Sequence, residues 1–153
     1  MAASIREQII DAAMTALNGP TRPVGLPQAD RLRMEPYQLA DMPAINVMSL
    51  REEVQPMQDG RWGPLLERAF TLRVVCYVAG APADQAIDPL AVWIEQSLSS
   101  PYLGKAFGGL AQDCYLSLME WQYADDDQNY AAALMDFRVT YQTSRSDPTT
   151  NTQ

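Results

Sequence analysis

Histidine is absent from the sequence, and its absence excludes several kinds of chemistry. Histidine has the side-chain pKa closest to neutrality, and it is the commonest metal ligand and the usual general base. A single chain without it cannot carry a Ser-His-Asp or a Cys-His mechanism. We therefore expect no catalytic residues of these classes, and we predict that the protein is not an enzyme.

Cysteine is nearly absent as well, since the chain contains only Cys76 and Cys114. Two thiolates alone do not complete a tetrahedral zinc site. Each cysteine lies among apolar residues, which predicts a small buried side chain. The sequence leaves open whether the two form a disulfide, although nothing in it points to an oxidising compartment. We expect no metal, no cofactor and a chain that folds in the cytoplasm.

Long apolar runs and an excess of basic residues are also missing. No stretch of 18 apolar residues predicts a membrane span, and the polar start of the chain predicts no signal peptide. The net charge is −8, from 19 acidic and 11 basic residues, which disfavours a nucleic-acid binder and an anionic membrane surface. The only lysine, Lys105, follows Gly104, but Ala106 stands where a phosphate loop needs Ser or Thr.

The first half of the chain predicts one helix and two long strands. With 153 residues and 47% hydrophobic residues, one domain with a sizeable core is expected. Apolar spacing predicts a helix over Ser4–Asn18, with Ser4 as the N-cap and Glu7 completing a capping box. The proline-rich segment Gly19–Pro43 is expected to be a loop that includes a short edge strand near Arg31–Met34.

Two alternating segments, Ala44–Val54 and Leu66–Val78, predict paired strands. The second spans about 43 Å when extended, which matches or exceeds the diameter of about 40 Å for a chain this size. The two strands are therefore expected to form a long hairpin that projects at the loop Gln55–Pro64. Arg68 is the one charged residue on the apolar face of the second strand.

The second half predicts a helix, two strands and a tail. The helix ends near Ser100 and begins at Asp88 or, alternatively, near Asp84. Trp93, on this helix, and Trp121, on the first of the strands, are expected in the core. The strands cover Asp113–Gln122 and Tyr130–Gln142.

Together these elements predict an α+β fold with one mostly antiparallel sheet of about four to five strands. Both helices are expected on one face of that sheet. Residues 1–143 are predicted to form a single domain, and residues 144–153 a disordered polar tail.

Seven residues are candidates for contacts with partners. Trp and Arg are enriched at interface hot spots, so Arg61 and Trp62 in the hairpin loop are expected to anchor an assembly contact. The turn Asp125–Asp127 resembles a calcium loop only superficially, because Tyr130 stands where such a loop needs glycine. Its carboxylates are expected to face water or a cationic partner. The candidate interface residues are Arg61, Trp62, Arg68, Arg73, Asp125, Asp126 and Asp127.

The order of several short segments resembles the tail terminator proteins of long-tailed bacteriophages, the minor tail protein U-like family. The resemblance extends from the N-terminal helix to about Pro148. Its segments are Arg31-Leu32-Arg33, Tyr37, Met42-Pro43-Ala44-Ile45-Asn46-Val47, Glu67-Arg68, Leu72-Arg73-Val74, Asp88, Leu90, Glu95-Gln96-Ser97-Leu98, Phe137-Arg138-Val139-Thr140-Tyr141-Gln142-Thr143 and Asp147-Pro148.

The resemblance implies a structural virion protein of the phage neck. Such proteins form a ring, usually a hexamer, that caps the tail tube, stops its growth and provides the joint to the head. The implied partners are copies of the chain, the tail tube protein, a head–tail connector or head-completion protein and, in a contractile tail, the sheath protein. Genomic DNA passes through without specific binding.

Two other readings stay open. One is a different neck or tail component, such as a head-closure stopper, an adaptor or the tube protein. The other is a small cytoplasmic α+β ligand-binding domain or enzyme.

Overall fold

The computed structural model describes residues 2–57, 64–80, 82–101, 106–124 and 129–152. Its elements, in chain order, are the helix α1 (Ile5–Leu17), the strands β1 (Asp30–Arg31), β2 (Ala44–Pro56) and β3 (Leu65–Ala79), the helix α2 (Ala83–Leu98), and the strands β4 (Asp113–Ala124) and β5 (Tyr130–Ser144). Two short 3-10 turns cover Leu39–Asp41 and Phe107–Gly109.

The five strands form one mixed sheet in the order β1-β2-β3-β5-β4. Neighbouring strands are antiparallel except for β1, which runs parallel to β2. Helix α2 packs on β3, β5 and β4, and α1 packs against α2. The predicted α+β class and the strand number are therefore confirmed. The short edge strand predicted in the proline-rich segment is also present, as β1.

The core lies between the helices and one face of the sheet. Alternate residues of β3 and β5, among them Phe70, Leu72, Phe137 and Val139, are at most 1% exposed. The buried residues of α1 and α2 join them in a single cluster. The period-2 pattern in the sequence therefore identifies the buried face, because successive side chains of a strand point to opposite faces.

Helix α1 begins as predicted, but the Glu7 carboxylate, which was expected to complete the capping box, bonds to another element. The Ser4 hydroxyl accepts a hydrogen bond of 3.1 Å from the Glu7 backbone N–H. The Glu7 carboxylate accepts two bonds from the guanidinium of Arg31, at 2.6 and 2.8 Å. The side chain expected to complete the capping box thus ties α1 to the edge strand β1.

The β2–β3 hairpin is long, as the sequence predicted, but it is not a free two-stranded arm. Its pairing continues from Ala44↔Tyr77 to Pro56↔Leu66. Strand β5 pairs with β3 over the same length, from Leu65↔Ser144 to Ala79↔Tyr130. Three strands therefore reach the hairpin end together. The tip lies outside the described residues, so its projection stays a prediction.

Helix α2 begins at Ala83, near the earlier of the two starts considered, so Pro89 lies inside it. A proline at this position offers no N–H to the carbonyl of Gln85. Five buried residues hold the helix to the core despite that loss: Ile87, Leu90, Ala91, Ile94 and Leu98.

The C-terminal segment, predicted from composition as a disordered tail, makes contacts with the body of the protein in this structure. The carbonyl of Pro148 accepts a 3.0 Å bond from the Ile5 N–H. Asn151 bridges to Thr143, and its side-chain amide donates to the carbonyl of Gly109. The sequence prediction considered only apolar burial, whereas backbone and amide hydrogen bonds make these contacts.

Candidate interaction surface

Five of the seven candidate interface residues lie outside the described residues. Arg61, Trp62 and the turn Asp125–Asp127 are therefore not placed, and their roles stay predictions. The other two, Arg68 and Arg73, lie on opposite faces of β3. Each has a partner within the chain.

Arg68 belongs to a cluster of polar residues at the edge of the core. Its guanidinium donates to Glu52 at 2.7 Å and to the Thr143 hydroxyl at 2.9 Å. The same carboxylate accepts a 3.1 Å bond from Arg6 and a 2.6 Å bond from the Tyr141 hydroxyl. This group, called the Glu52 cluster below, consists of Arg6, Glu52, Arg68, Tyr141 and Thr143.

The Glu52 cluster explains the one charge on the apolar face of β3. The side chains of Arg68 and Glu52 are only 15% and 11% exposed. Arg68 can occupy this position because Glu52, on the neighbouring strand, supplies a carboxylate at the same depth. A charge in an alternating apolar pattern predicts a buried counter-ion, but the sequence does not say which acid supplies it.

Electrostatics keeps the central carboxylate of the cluster ionised. Burial alone would raise the pKa of Glu52, but hydrogen bonds from Tyr141 and Arg68 and the charge of Arg6 lower it below its ordinary value. Burial and the bond to Glu52 raise the pKa of Tyr141 well above its usual range. Neither group titrates near neutral pH, so the cluster is suited to joining α1, β2, β3 and β5 rather than to acid–base catalysis.

Arg73 lies on the face of the sheet opposite the helices and pairs with β5. Its guanidinium makes two bonds to Asp136, at 2.8 and 2.9 Å, and the Asp136 side chain is 9% exposed. Arg138 and Glu53 approach each other on the same face at 3.6 Å. These two ion pairs therefore join different strands of the sheet on this face.

The exposed apolar residues of the sheet lie on its edges, a feature that sequence reasoning missed. No large apolar residue of the central strands β3 and β5 is among those exposed in the described part of the chain. The exposed large apolar residues of the sheet are Leu50 and Val54 on β2 and Tyr115, Leu118, Trp121 and Tyr123 on β4.

Trp121 is the clearest correction to the sequence prediction. It was expected in the core but is 46% exposed. The strand shifts register between Leu116 and Leu118, after which Trp121 pairs with Ala133. This position lies beside the polar start of α2, whose Asp84 and Asp88 do not cover the indole. The core prediction holds better for Trp93, which packs against the buried cluster.

A groove forms where β4 meets the start of α2. Its volume is about 570 Å³, and its lining is Asp84, Gln85, Asp88, Trp121 and Tyr123. We call it the β4 groove. The two aspartates lie one helical turn apart on the same side of α2. Two carboxylates beside two aromatic rings form a surface suited to a cationic side chain.

A second cleft, of about 700 Å³, lies at the same end of the sheet and is rich in tyrosine. Its lining includes Tyr37, Tyr77, Tyr130 and Gln122. The ring centroids of Tyr37 and Tyr77 lie 4.8 Å apart. The guanidinium of Arg33 stacks on the Tyr37 ring, 4.1 Å from its centroid. Among the described residues, the lining has no carboxylate and no thiol. The cleft therefore offers aromatic stacking and hydrogen bonding by phenol groups.

Neither cysteine is placed for chemistry. Cys76 and Cys114 are free and buried, and burial raises the pKa of each thiol to about 12. Within the part of the chain that the structure describes, no group of three or more acids and cysteines is arranged to hold a metal ion. Neither described helix has the length and apolar character needed to cross a membrane.

No known protein-family model matches the chain, and no curated protein is similar enough to count as a match. The resemblance to tail terminators therefore rests on the residues of the sequence.

Proposed function

We propose that this protein is a structural component of a phage virion, which assembles with copies of itself into a closed ring that caps the tail tube. The observation that carries the proposal is a pair of apolar sheet edges, β4 and the stretch of β2 beyond β1, that no described strand covers. Outer edges of natural sheets are usually shielded, because unpaired backbone groups and exposed apolar residues invite pairing with another chain. Here β4 presents four exposed apolar side chains, and β2 presents two.

The two open edges differ, and that difference favours a ring. Strand β4 ends the order β1-β2-β3-β5-β4, and at the other side of the sheet β2 extends beyond the two-residue strand β1. Contact between one edge of a copy and the other edge of the next is head-to-tail. Such contacts close into a ring when the rotation between neighbours allows it. A dimer that uses the same edge twice would leave the other edge exposed.

The role on the tail comes from the family resemblance. A ring on the end of the tube would stop further growth and form a joint to the connector at the head. The excess of acid, −8 per chain, suits a ring through which DNA must pass without being held. The proposal places the protein in the virion, at the neck.

The test needs a tail tube protein, which is sought in the genome that encodes this chain. Tubes are assembled with and without the purified protein and are examined by electron microscopy. We expect shorter tubes of bounded length, with a ring of extra density at one end. If the chain alone forms long tubes, it is the tube protein. If tube length does not respond and no end density appears, the terminator role is wrong.

A further inference from the structure

The side of the molecule formed by α2 and β4 is acidic without internal compensation. Neither element contains a lysine or an arginine, and together they contain five acids: Asp84, Asp88, Glu95, Asp113 and Glu120. The ion pairs among the described residues engage none of these five. Asp84 and Asp88 line the β4 groove beside Trp121 and Tyr123, so the groove holds two carboxylates that no described cation matches.

The β4 groove opens on the helix side of the sheet. Its rings, Trp121 and Tyr123, pair with Ala133 and Ala131 of β5, which are buried in the core. Directly paired residues of neighbouring strands point to the same face. The rings therefore lie on the face that carries α2, and an occupant from another molecule must reach them from that side.

Arg22 is an arginine whose guanidinium has no partner among the described residues. No ion pair includes it, and its Nη1 nitrogen is buried without an acceptor. A donor left without an acceptor costs free energy, so a new carboxylate partner is favoured. Because a guanidinium also stacks on indole rings, Arg22 offers what the groove lacks.

Arg22 lies in a segment of two tight turns, residues 19–26, called the Arg22 turn below. Backbone hydrogen bonds of 3.1 and 3.2 Å close the two turns. Gly25 has a φ of +83°, which the third position of a type II turn requires. Val24, at the tip of this turn, is fully exposed. The segment therefore presents an apolar side chain next to an unpaired cation on an ordered backbone.

The Arg22 turn also lies on the helix side, but at the other flank of α2. The indole N–H of Trp93 on α2 donates a 3.4 Å hydrogen bond to the Thr21 hydroxyl. Trp93 lies five residues after Asp88, which is about 140° around the helix axis and about 8 Å along it. Helix α2 therefore separates the Arg22 turn from the groove of its own chain.

The position of the Arg22 turn in the chain places it opposite the groove. The turn connects α1 to β1, and β1 and β4 are the two ends of the strand order. When two copies lie side by side with their helices on the same side, the Arg22 turn of one copy approaches the β4 groove of the other. Both surfaces are then in the helix layer and at similar heights along α2.

We infer that the occupant of the β4 groove is the Arg22 turn of a second copy of this chain, with Arg22 between the Trp121 ring and the two aspartates. The inference rests on the proposed self-assembly and names the surfaces that meet. The contact is head-to-tail, because each copy contributes one turn and one groove. Contact between two acidic grooves would instead be opposed by like-charge repulsion.

The exposed valine has a place beside the groove as well. A second cavity, of about 460 Å³, adjoins the groove through Asp84 and Tyr123 and includes Pro82, Ala83 and Ala124 in its lining. This lining is more apolar than the groove itself, so it suits Val24 when Arg22 contacts the aspartates.

A charge exchange tests this contact. Asp88→Arg and Arg22→Glu are made separately and together in one chain, and association is measured by sedimentation velocity over a range of concentrations. We expect each single variant to weaken association about tenfold or more, as for loss of a close interfacial charge pair. The combined variant should recover most of that loss, because the exchanged charges meet again.

Val24→Asp is an independent variant, since a fully exposed side chain contributes little to the fold of the monomer. It should also weaken association, because it adds a carboxylate to the turn that meets two others. Circular dichroism and thermal melting of every variant check that the fold is retained. Where the protein associates only on tail tubes, the density of rings at tube ends replaces sedimentation as the readout.

The matched control is Glu120→Arg. Glu120 is exposed and precedes Trp121 on β4, but it pairs with Leu134 and so lies on the face opposite the helices. The same reversal of charge there should leave association within about twofold.

Four results would overturn the inference. The single variants associate like the unmodified protein, the combined variant is as weak as the single ones, or Glu120→Arg weakens association as much as Asp88→Arg does. The fourth is that Asp88→Arg strengthens association, which would indicate contact between two acidic grooves. If all variants cap tail tubes like the unmodified protein, the surface is wrong while the proposed function stands. If the unmodified protein caps no tubes but the variants associate as expected, the proposed function fails while the surface stands.

Discussion

The Glu52 cluster and the β4 groove hold charged side chains near opposite edges of the same sheet. Among the described residues of these two regions, only the charges of the cluster form ion pairs. In the cluster, the Glu52 carboxylate accepts three hydrogen bonds, from Arg6, from Arg68 and from the Tyr141 hydroxyl. In the groove, Asp84 and Asp88 lie beside exposed aromatic rings and have no arginine partner among the described residues. The charges of the first region are paired within one chain, whereas the carboxylates of the second lie in a groove suited to a cationic group.

This difference predicts which variants affect the stability of the monomer and which affect its assembly. Removing a partner from a buried ionic cluster leaves charges that cannot be solvated fully. Changing a solvated acid or a half-exposed ring leaves the monomer nearly unaffected. Variants in the two regions should therefore sort into those that weaken folding and those that weaken association.

The largest effect is expected for Glu52→Gln. The change leaves Arg6 and Arg68 without their carboxylate, and we expect the free energy of unfolding to fall by about 3 kcal/mol. Urea denaturation monitored by tryptophan fluorescence measures it. The neighbouring variant Glu53→Gln is the control, since its ion pairs are exposed and should contribute less than about 1 kcal/mol. Equal losses for the two variants would show that the cluster has no special role.

The same cluster predicts a dependence on pH. Because the folded state lowers the pKa of Glu52 below the ordinary value of 4.5, its contribution is fully present above that value. The contribution is lost as the pH falls through the lowered pKa. The difference in unfolding free energy between the unmodified protein and Glu52→Gln should therefore shrink below about pH 4.5. A difference that stays constant down to pH 2 would contradict this assignment.

A smaller effect is expected from removal of residues 147–153. The truncation deletes the Pro148 carbonyl that accepts the Ile5 N–H, and the Asn151 bridge to Thr143. We expect a loss of about 1 kcal/mol, the typical net value of one or two hydrogen bonds. Thermal melting of the full and truncated chains measures it. An unchanged melting temperature would instead support the disordered tail predicted from composition.

The smallest effect on folding is expected for Trp121→Ala. Because the indole is 46% exposed, the free energy of unfolding should change by about 1 kcal/mol or less. Association should weaken clearly, since large aromatic residues dominate interface energies. Trp93→Ala is the matched control: Trp93 packs against the core, so its loss should destabilise the monomer more. A stability loss at Trp121 equal to that at Trp93 would place Trp121 in the core after all.

Much of the fold was predictable because it depends on local patterns. The alternation in Leu66–Val78 identifies both the strand and its buried face, and Ser4 marks the start of α1. The partner of Arg68 was not predictable, since Glu52 is distant in sequence and approaches only through strand pairing. Trp121 was misplaced because it lies on the helix side of the sheet, opposite buried Ala133, but the polar start of α2 does not cover it, and local periodicity cannot show that.

The candidate site was less predictable than the fold. An acidic edge appears only when α2 and β4 are known to be neighbours, and its exposed aromatics appear only when their coverage is known. The long strand Leu66–Val78 predicted self-association, which stays a prediction, and the sequence could not say which edge would take part.

The central claim is that two unlike edges close this chain into a ring, and the most direct measurement is the mass of the assembled particle. Mass measurement across a wide range of protein concentration, on the 17.0 kDa chain, should show monomer giving way to one closed species of fixed subunit number. That mass should not grow further as concentration rises. A chain that stays monomeric at every concentration and on tail tubes, or one whose mass increases without limit, would contradict the account.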